Sequence, residues 1–143
     1  MPRLPLTLAA LVLLATPSAL TASDPAPGFL RADTPRTWSF PRDHGSHPGF
    51  GTEWWYFTGI VEDERGRTLG YELTFFRVAL RADAVESVSP WRARDLMLAH
   101  FAITDVDGQR FLLAARVQRA AAGLAGATEG DLDVWIGDWT AQR

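Results

Sequence analysis

Residues 53–62 read Glu-Trp-Trp-Tyr-Phe-Thr-Gly-Ile-Val-Glu, and residues 68–80 read Thr-Leu-Gly-Tyr-Glu-Leu-Thr-Phe-Phe-Arg-Val-Ala-Leu. Both runs are dominated by aromatic and β-branched side chains, which pack well on a pleated surface. Asp63-Glu-Arg-Gly66 stands between them, a charged turn short enough to fold the two runs into a hairpin. Residues 81–94 read as a loop and Leu96 to Thr104 as a third strand. Asp105-Val-Asp-Gly108 carries the Asp-Gly signal of a tight hairpin, and Arg110 to Gln118 returns as a fourth strand. Ala120 to Gly130 is small and Gly-rich, which predicts a loop or one short helical turn. Leu132 to Ile136 and Trp139 onward begin a fifth and a sixth strand. The expected class is all-β, an antiparallel meander.

A period of two sorts the faces of the hairpin. Trp54, Tyr56, Thr58 and Ile60 share one side of the first strand, and Glu53, Trp55, Phe57 and Val61 the other. In the second strand Leu69, Tyr71, Leu73, Phe75 and Arg77 oppose Gly70, Glu72, Thr74, Phe76 and Val78. Both faces are largely apolar, unlike a sheet with one wet side. A barrel around a ligand, or a second domain packed outside, would cover them. Five or six strands are too few to close an eight-stranded barrel around a small apolar ligand. The sequence also stops at Thr140-Ala-Gln-Arg143, directly after a strand start. The expectation is an incomplete antiparallel barrel, inactive alone, whose unpaired edges and exposed Trp54–Phe57 and Phe75–Phe76 surfaces favour association.

Composition narrows the function classes. The chain has 143 residues, 47% of them hydrophobic and 22% charged, an ordinary globular balance. A net charge of −3 lacks the basic footprint of nucleic-acid binding. The absence of cysteine excludes disulfides, thiol nucleophiles and Cys-ligated zinc. Arg3 followed by the apolar run Leu4 to Ala15, a break at Thr16-Pro17 and small residues at Ala22-Ser23 match a secretory signal peptide over residues 1–22. The run is short for a bilayer span, although an uncleaved anchor is the alternative. Export through the Sec pathway to a periplasmic or secreted location is expected. Residues 23–40, with Pro25, Pro27 and Pro35, read as an extended leader.

The densest polar cluster is Pro41-Arg-Asp-His-Gly-Ser-His-Pro-Gly-Phe-Gly-Thr-Glu53. Its glycines and prolines make a loop whose backbone can approach a ligand closely. Asp43, His44, His47 and Glu53 are all able to bind protons. His44 and His47, completed by His100, resemble part of a zinc site, but no helix fixes the spacing as in H-E-x-x-H, so no metal is assigned. No phosphate-binding glycine pattern or G-x-S-x-G elbow occurs, and no cofactor is assigned. Glu53, Arg77 and His100 each interrupt apolar strands. They read either as a polar network facing a ligand or as an ion pair with a carbonyl-bonded His. Trp54, Tyr56, Tyr71, Phe75 and Arg77 are the candidate ligand-binding positions, with packing as the competing role of the aromatics.

Five words occur in order: Asp43-His-Gly-x-His47, Glu53-Trp-Trp-Tyr-x-Thr-Gly59, Tyr71-Glu-Leu-Thr-Phe-Phe-Arg77, Ala99-His-Phe-Ala-Ile-Thr-Asp105 and Asp138-Trp139. Together they resemble the N-terminal part of the carotenoid 1,2-hydratase (hydroxyneurosporene synthase) family, the AttH/CrtC-type lipocalin-like proteins, from about Trp38 to the last residue. The resemblance implies a chain of two lipocalin-like barrels, with residues 41–143 as part of the first and the second as a missing partner domain. It also implies cofactor-free hydration of a terminal double bond in a hydrophobic polyene, through protonation, a tertiary carbocation and capture by water. The implied partner is a small hydrophobic ligand, and a peripheral membrane contact is expected beside it. Asp43, His44, His47 and Glu53 match the family's first-domain motif, whereas the family's catalytic acid lies in a second half with no matching position here. A lipocalin-like carrier or envelope binding protein is the competing reading, and a secreted hydrolase the third.

Overall fold

The hairpin of aromatic runs forms as its pattern predicts, and it seeds a larger sheet. The computed structural model describes residues 27–83 and 89–143, so the signal-peptide reading of residues 1–22 lies outside the described residues. β1 (Thr52–Glu62), β2 (Thr68–Ala79), β3 (Asp95–Asp105) and β4 (Arg110–Arg119) make one antiparallel sheet in sequence order. Aspartates build the connecting turns. Asp63 accepts the backbone N–H groups of Arg65 and Arg67 at 2.9 and 3.0 Å. Asp105 accepts that of Gly108 at 2.8 Å and pairs with Arg110 at 2.7 Å. Short polar side chains that bond nearby backbone favour turns for this reason.

The turn at 63–67 fixes a register in which Trp55 faces Phe75, Phe57 faces Leu73 and Glu53 faces Arg77. In the next pair Phe75 faces Ala99 and Arg77 faces Met97. Alternation then places Trp55, Phe57, Leu73, Phe75, Met97 and Ala99 on one face. A second antiparallel sheet covers that face, made of β5 (Ala125–Ala127), β6 (Asp133–Ile136) and β7 (Trp139–Gln142). Phe75, Met97 and Ala99 from the first sheet meet Ala125, Val134 and Ile136 from the second, all nearly or wholly buried. Leu132, Trp139 and Ala141 pack around them. The two sheets thus form a barrel-like, all-β shell around one core.

Two expectations need correction. Residues 120–130 are not wholly loop or helical turn, because Ala125–Ala127 pairs with Val134–Ile136 as a strand. Glycine is needed there since a Cβ on Gly126 would lie 2.8 Å from the Trp135 ring, which crosses it from the neighbouring strand. A residue chosen to make room for a ring thus looks like a loop residue. The expected exposed surface also divides by face. Phe75 is fully buried, and Trp55 and Phe57 pack on the core. Trp54, Tyr56, Ile60, Phe111, Leu113 and Val117 lie on the opposite face of the sheet, each more than half exposed.

Truncating the two phenylalanines separates these faces. Phe75→Ala opens a cavity in the core and lowers stability by about 3–5 kcal/mol, whereas Phe111→Ser on the exposed face changes it by less than about 0.5 kcal/mol. Urea unfolding of the two variants checks both values.

Candidate functional site

The loop before β1 is shaped by a charge buried behind it. Arg77 sits on the inner face of β2 and is 3% exposed. A buried guanidinium must have its donors satisfied. Its Nε donates to Glu53 Oε1 at 3.0 Å and its Nη1 to Asp95 Oδ1 at 3.0 Å. Its Nη2 donates to the carbonyls of His47 and Phe50 at 3.1 and 2.8 Å. Arg94 adds a second clamp, donating to the carbonyls of Pro48 at 2.6 Å and Ala82 at 3.1 Å. On its other side the loop touches the second sheet. Ser46 N–H donates to Thr128 O at 2.8 Å, and a Cβ on Gly45 would meet the backbone of residues 128–131 at 2.7 to 3.0 Å. Only glycine fits so close to another chain segment.

Thus held, the loop presents three ionisable groups in a row. Glu53 Oε1 accepts the Ser46 hydroxyl at 2.8 Å, and its two oxygens accept the His47 backbone N–H at 3.0 and 2.8 Å. The His47 ring lies between two carboxylates, Nδ1 3.4 Å from Glu53 Oε2 and Nε2 3.3 Å from Asp43 Oδ1. An imidazolium satisfies both contacts; a neutral ring donates to one. Asp43 is held by the short 3-10 turn Arg42–His44 and accepts the Ser39 backbone N–H and an Arg36 guanidinium N–H. The Ser39 N–H above all, with His47 and Arg36, lowers its carboxyl pKa to about 2 against the opposing effect of desolvation. Asp43 is therefore a carboxylate under ordinary conditions and has no proton to give.

Beside this row lies an open cleft of about 580 Å³. Trp38, Phe50, Trp54, Trp55, Tyr56 and Phe57 supply most of its wall, while Arg36, Asp43, His47 and Glu53 supply its polar end. The cleft follows the strand edge of β1 that β2 leaves unpaired, so side chains from both faces of β1 reach it. Trp55 is fixed there by its indole N–H, which donates to His44 O at 2.9 Å. Across Arg77, a second cavity of about 570 Å³ is lined by Arg92, Arg94, Asp95 and the backbone-rich segment 120–127.

The candidate residues fall into three places. Asp43, His47 and Glu53 come together at the cleft, and His44 lines it with its ring 4.5 Å from that of Phe40. Glu53 and Arg77 form a partly buried ion pair, but His100 stands exposed on the opposite face, edge-on to Phe76 at 5.7 Å. His100 therefore completes no site with His44 and His47, and no three metal-binding side chains converge among the described residues. Trp54 and Tyr56 line the cleft; Tyr71 and Phe75 do not, since Phe75 is buried in the core and the Tyr71 ring lies over Gly59. Sequence reasoning missed Arg36, Trp38, Ser46 and Asp95. The first two lie in the leader, and no local pattern records that it crosses the cleft.

Two variants probe this arrangement. Arg77→Met leaves two carboxylates and two loop carbonyls without their donor, and costs about 3–5 kcal/mol in urea unfolding. For Asp43 the folded pKa lies below the ordinary value of 3.8, so its tie to Ser39 and Arg36 is intact above about 4 and is lost as pH falls toward about 2. Tryptophan fluorescence from Trp38 and Trp55 should register that step in acid. The step should be missing from Asp43→Asn.

Comparison with known proteins now places the chain. A family model described as AttH-like matches residues 31–143. A solved structure from Nitrosomonas europaea, described as an AttH protein, aligns with a TM-score of 0.59 and 32% sequence identity, covering 76% of this chain. The alignment spans 31% of that protein, so the present chain corresponds to about a third of its length. No curated protein sequence matches. With four-fifths of its length under one family model, the chain belongs to the AttH-like family.

Proposed function

We propose that the β1 cleft binds a small, apolar, polyene-like ligand, and that the whole protein adds water to such a ligand without a cofactor. The observation that carries this reading is the run of aromatic rings from Trp38 to Phe57 around one open cleft. Ring faces accept extended conjugated chains, and they stabilise a positive charge that develops next to them. In the proposed reaction a proton adds to the less substituted carbon of the terminal double bond and leaves a tertiary carbocation at the other carbon. Water then bonds to that cationic carbon and releases a proton, giving a tertiary alcohol. The role assigned to this region is to hold the chain and shield the cation. The starting proton does not come from Asp43, which is kept ionised.

That same commitment of Asp43 favours a second reading, in which the cleft stores or carries its ligand and no reaction follows. Both readings place the protein outside the cytoplasm, on the strength of Arg3 and the apolar run to Ala15.

Diphenylhexatriene, an uncharged polyene that fluoresces when shielded from water, tests the binding. It should light up with the protein, and Trp54→Ala and Tyr56→Ala should each weaken binding by about tenfold. Equal binding by both variants would remove the cleft from the account. Labelled oxygen from water, recovered as an alcohol on an acyclic polyene incubated with the whole protein, separates hydration from carriage.

A further inference from the structure

The charges around the cleft cancel in pairs. Arg36 Nη2 contacts Asp43 Oδ1, and the Asp43 side chain beneath it has no exposed surface. Arg42 adds a longer contact to the same oxygen at 3.6 Å from a largely exposed position. Glu53 is neutralised from behind by Arg77. The His47 ring stands between Asp43 and Glu53. Arg36 is also fixed from its other side, with its guanidinium 4.9 Å from the centre of the Trp38 ring. An ionic group entering this cleft would lose water and, among the described residues that line it, meet only charges that already have a partner, a cost that an uncharged group avoids.

We infer that the Arg36–Asp43 pair is a charge filter for the cleft: it selects ligands with an uncharged head and excludes carboxylates and ammonium groups of the same chain length. This rests on the reading of the cleft as a ligand site, and it adds the chemistry of the ligand's polar end. Each half of the pair suppresses the opposite preference. Without Asp43, the Arg36 guanidinium is free to pair with a carboxylate. Without Arg36, the Asp43 carboxylate opens to the cleft and attracts an ammonium group.

The test is displacement of diphenylhexatriene near neutral pH by three ten-carbon chains: decanol, decanoate and decylammonium. The unaltered protein should favour decanol. Asp43→Asn should raise the relative affinity for decanoate by about tenfold, equivalent to roughly 1.4 kcal/mol. Arg36→Gln, alone or with Arg42→Gln, should raise that for decylammonium to a similar extent. Arg65→Gln, in the β1–β2 turn, should leave the ranking unchanged. Thermal unfolding of each variant separates a changed preference from a lost fold. Preference for decanoate in the unaltered protein, or an unchanged ranking in folded Asp43→Asn and Arg36→Gln, overturns the filter. Failure of diphenylhexatriene to bind at all overturns the cleft reading itself, and the filter with it.

Discussion

A guanidinium on the inner face of β2 governs how everything near the cleft is placed. Arg77 occupies a position where the alternation of the strand calls for an apolar residue, and it is nearly as buried as Phe75 and Met97 on the same face. Such a group persists only when its donors are met. Meeting them draws in Glu53 from β1, Asp95 from the start of β3 and two carbonyls from the loop between. The loop is tied to the sheets by this side chain, by Arg94 on the Pro48 carbonyl, by the Ala79 N–H on the Gly51 carbonyl and by the contact of Gly45 and Ser46 with residues 128–131. His47, Asp43 and Arg36 then follow one another along the cleft in contact, with Asp43 held besides by the Ser39 N–H and Arg36 by the Trp38 ring.

Much of this was legible in the sequence, and the unread parts share a cause. The aromatic hairpin, its Asp-rich turns and the last two strands follow from patterning and turn chemistry within a few residues. The pairing of Glu53 with Arg77 was also within reach, since a turn at 63–67 leaves little choice of register. His100 belongs to the same count, because it pairs with Thr74, and Thr74 points away from Arg77. Its grouping with Glu53 came from chemistry alone. Arg36 and Trp38 were out of reach, since they lie in an irregular segment whose path is set by tertiary contacts, and Asp95 opens β3 just where the preceding loop leaves the strand start unmarked. β5 was hidden by composition: Ala-Gly-Ala has no strand signal until Trp135 is known to lie over Gly126.

Membership of the AttH-like family and the geometry of the loop bear on different parts of the molecule. The family match covers the strands and gives the fold a solved counterpart. The loop gives the cleft its charge, and that charge is already spent inside the protein. Carboxylates held by Arg, Ser and backbone donors are suited to shaping a wall, whereas a general acid needs a proton that it is able to release. This contrast separates the aromatic part of the cleft, where Trp54 and Tyr56 are more than half exposed, from its polar end, which is committed.

The position of the cleft on a strand edge has its own consequence. Along β1, burial alternates residue by residue, as in any strand with one covered face. The cleft ignores that alternation and is lined by Thr52, Glu53, Trp54, Trp55, Tyr56 and Phe57 without a gap. One six-residue stretch therefore carries two messages with different periods. Folding reads every second letter, and the cleft reads them all. A substitution tolerated by the first reading is still audible to the second, which leaves this segment far less room to vary than its burial suggests.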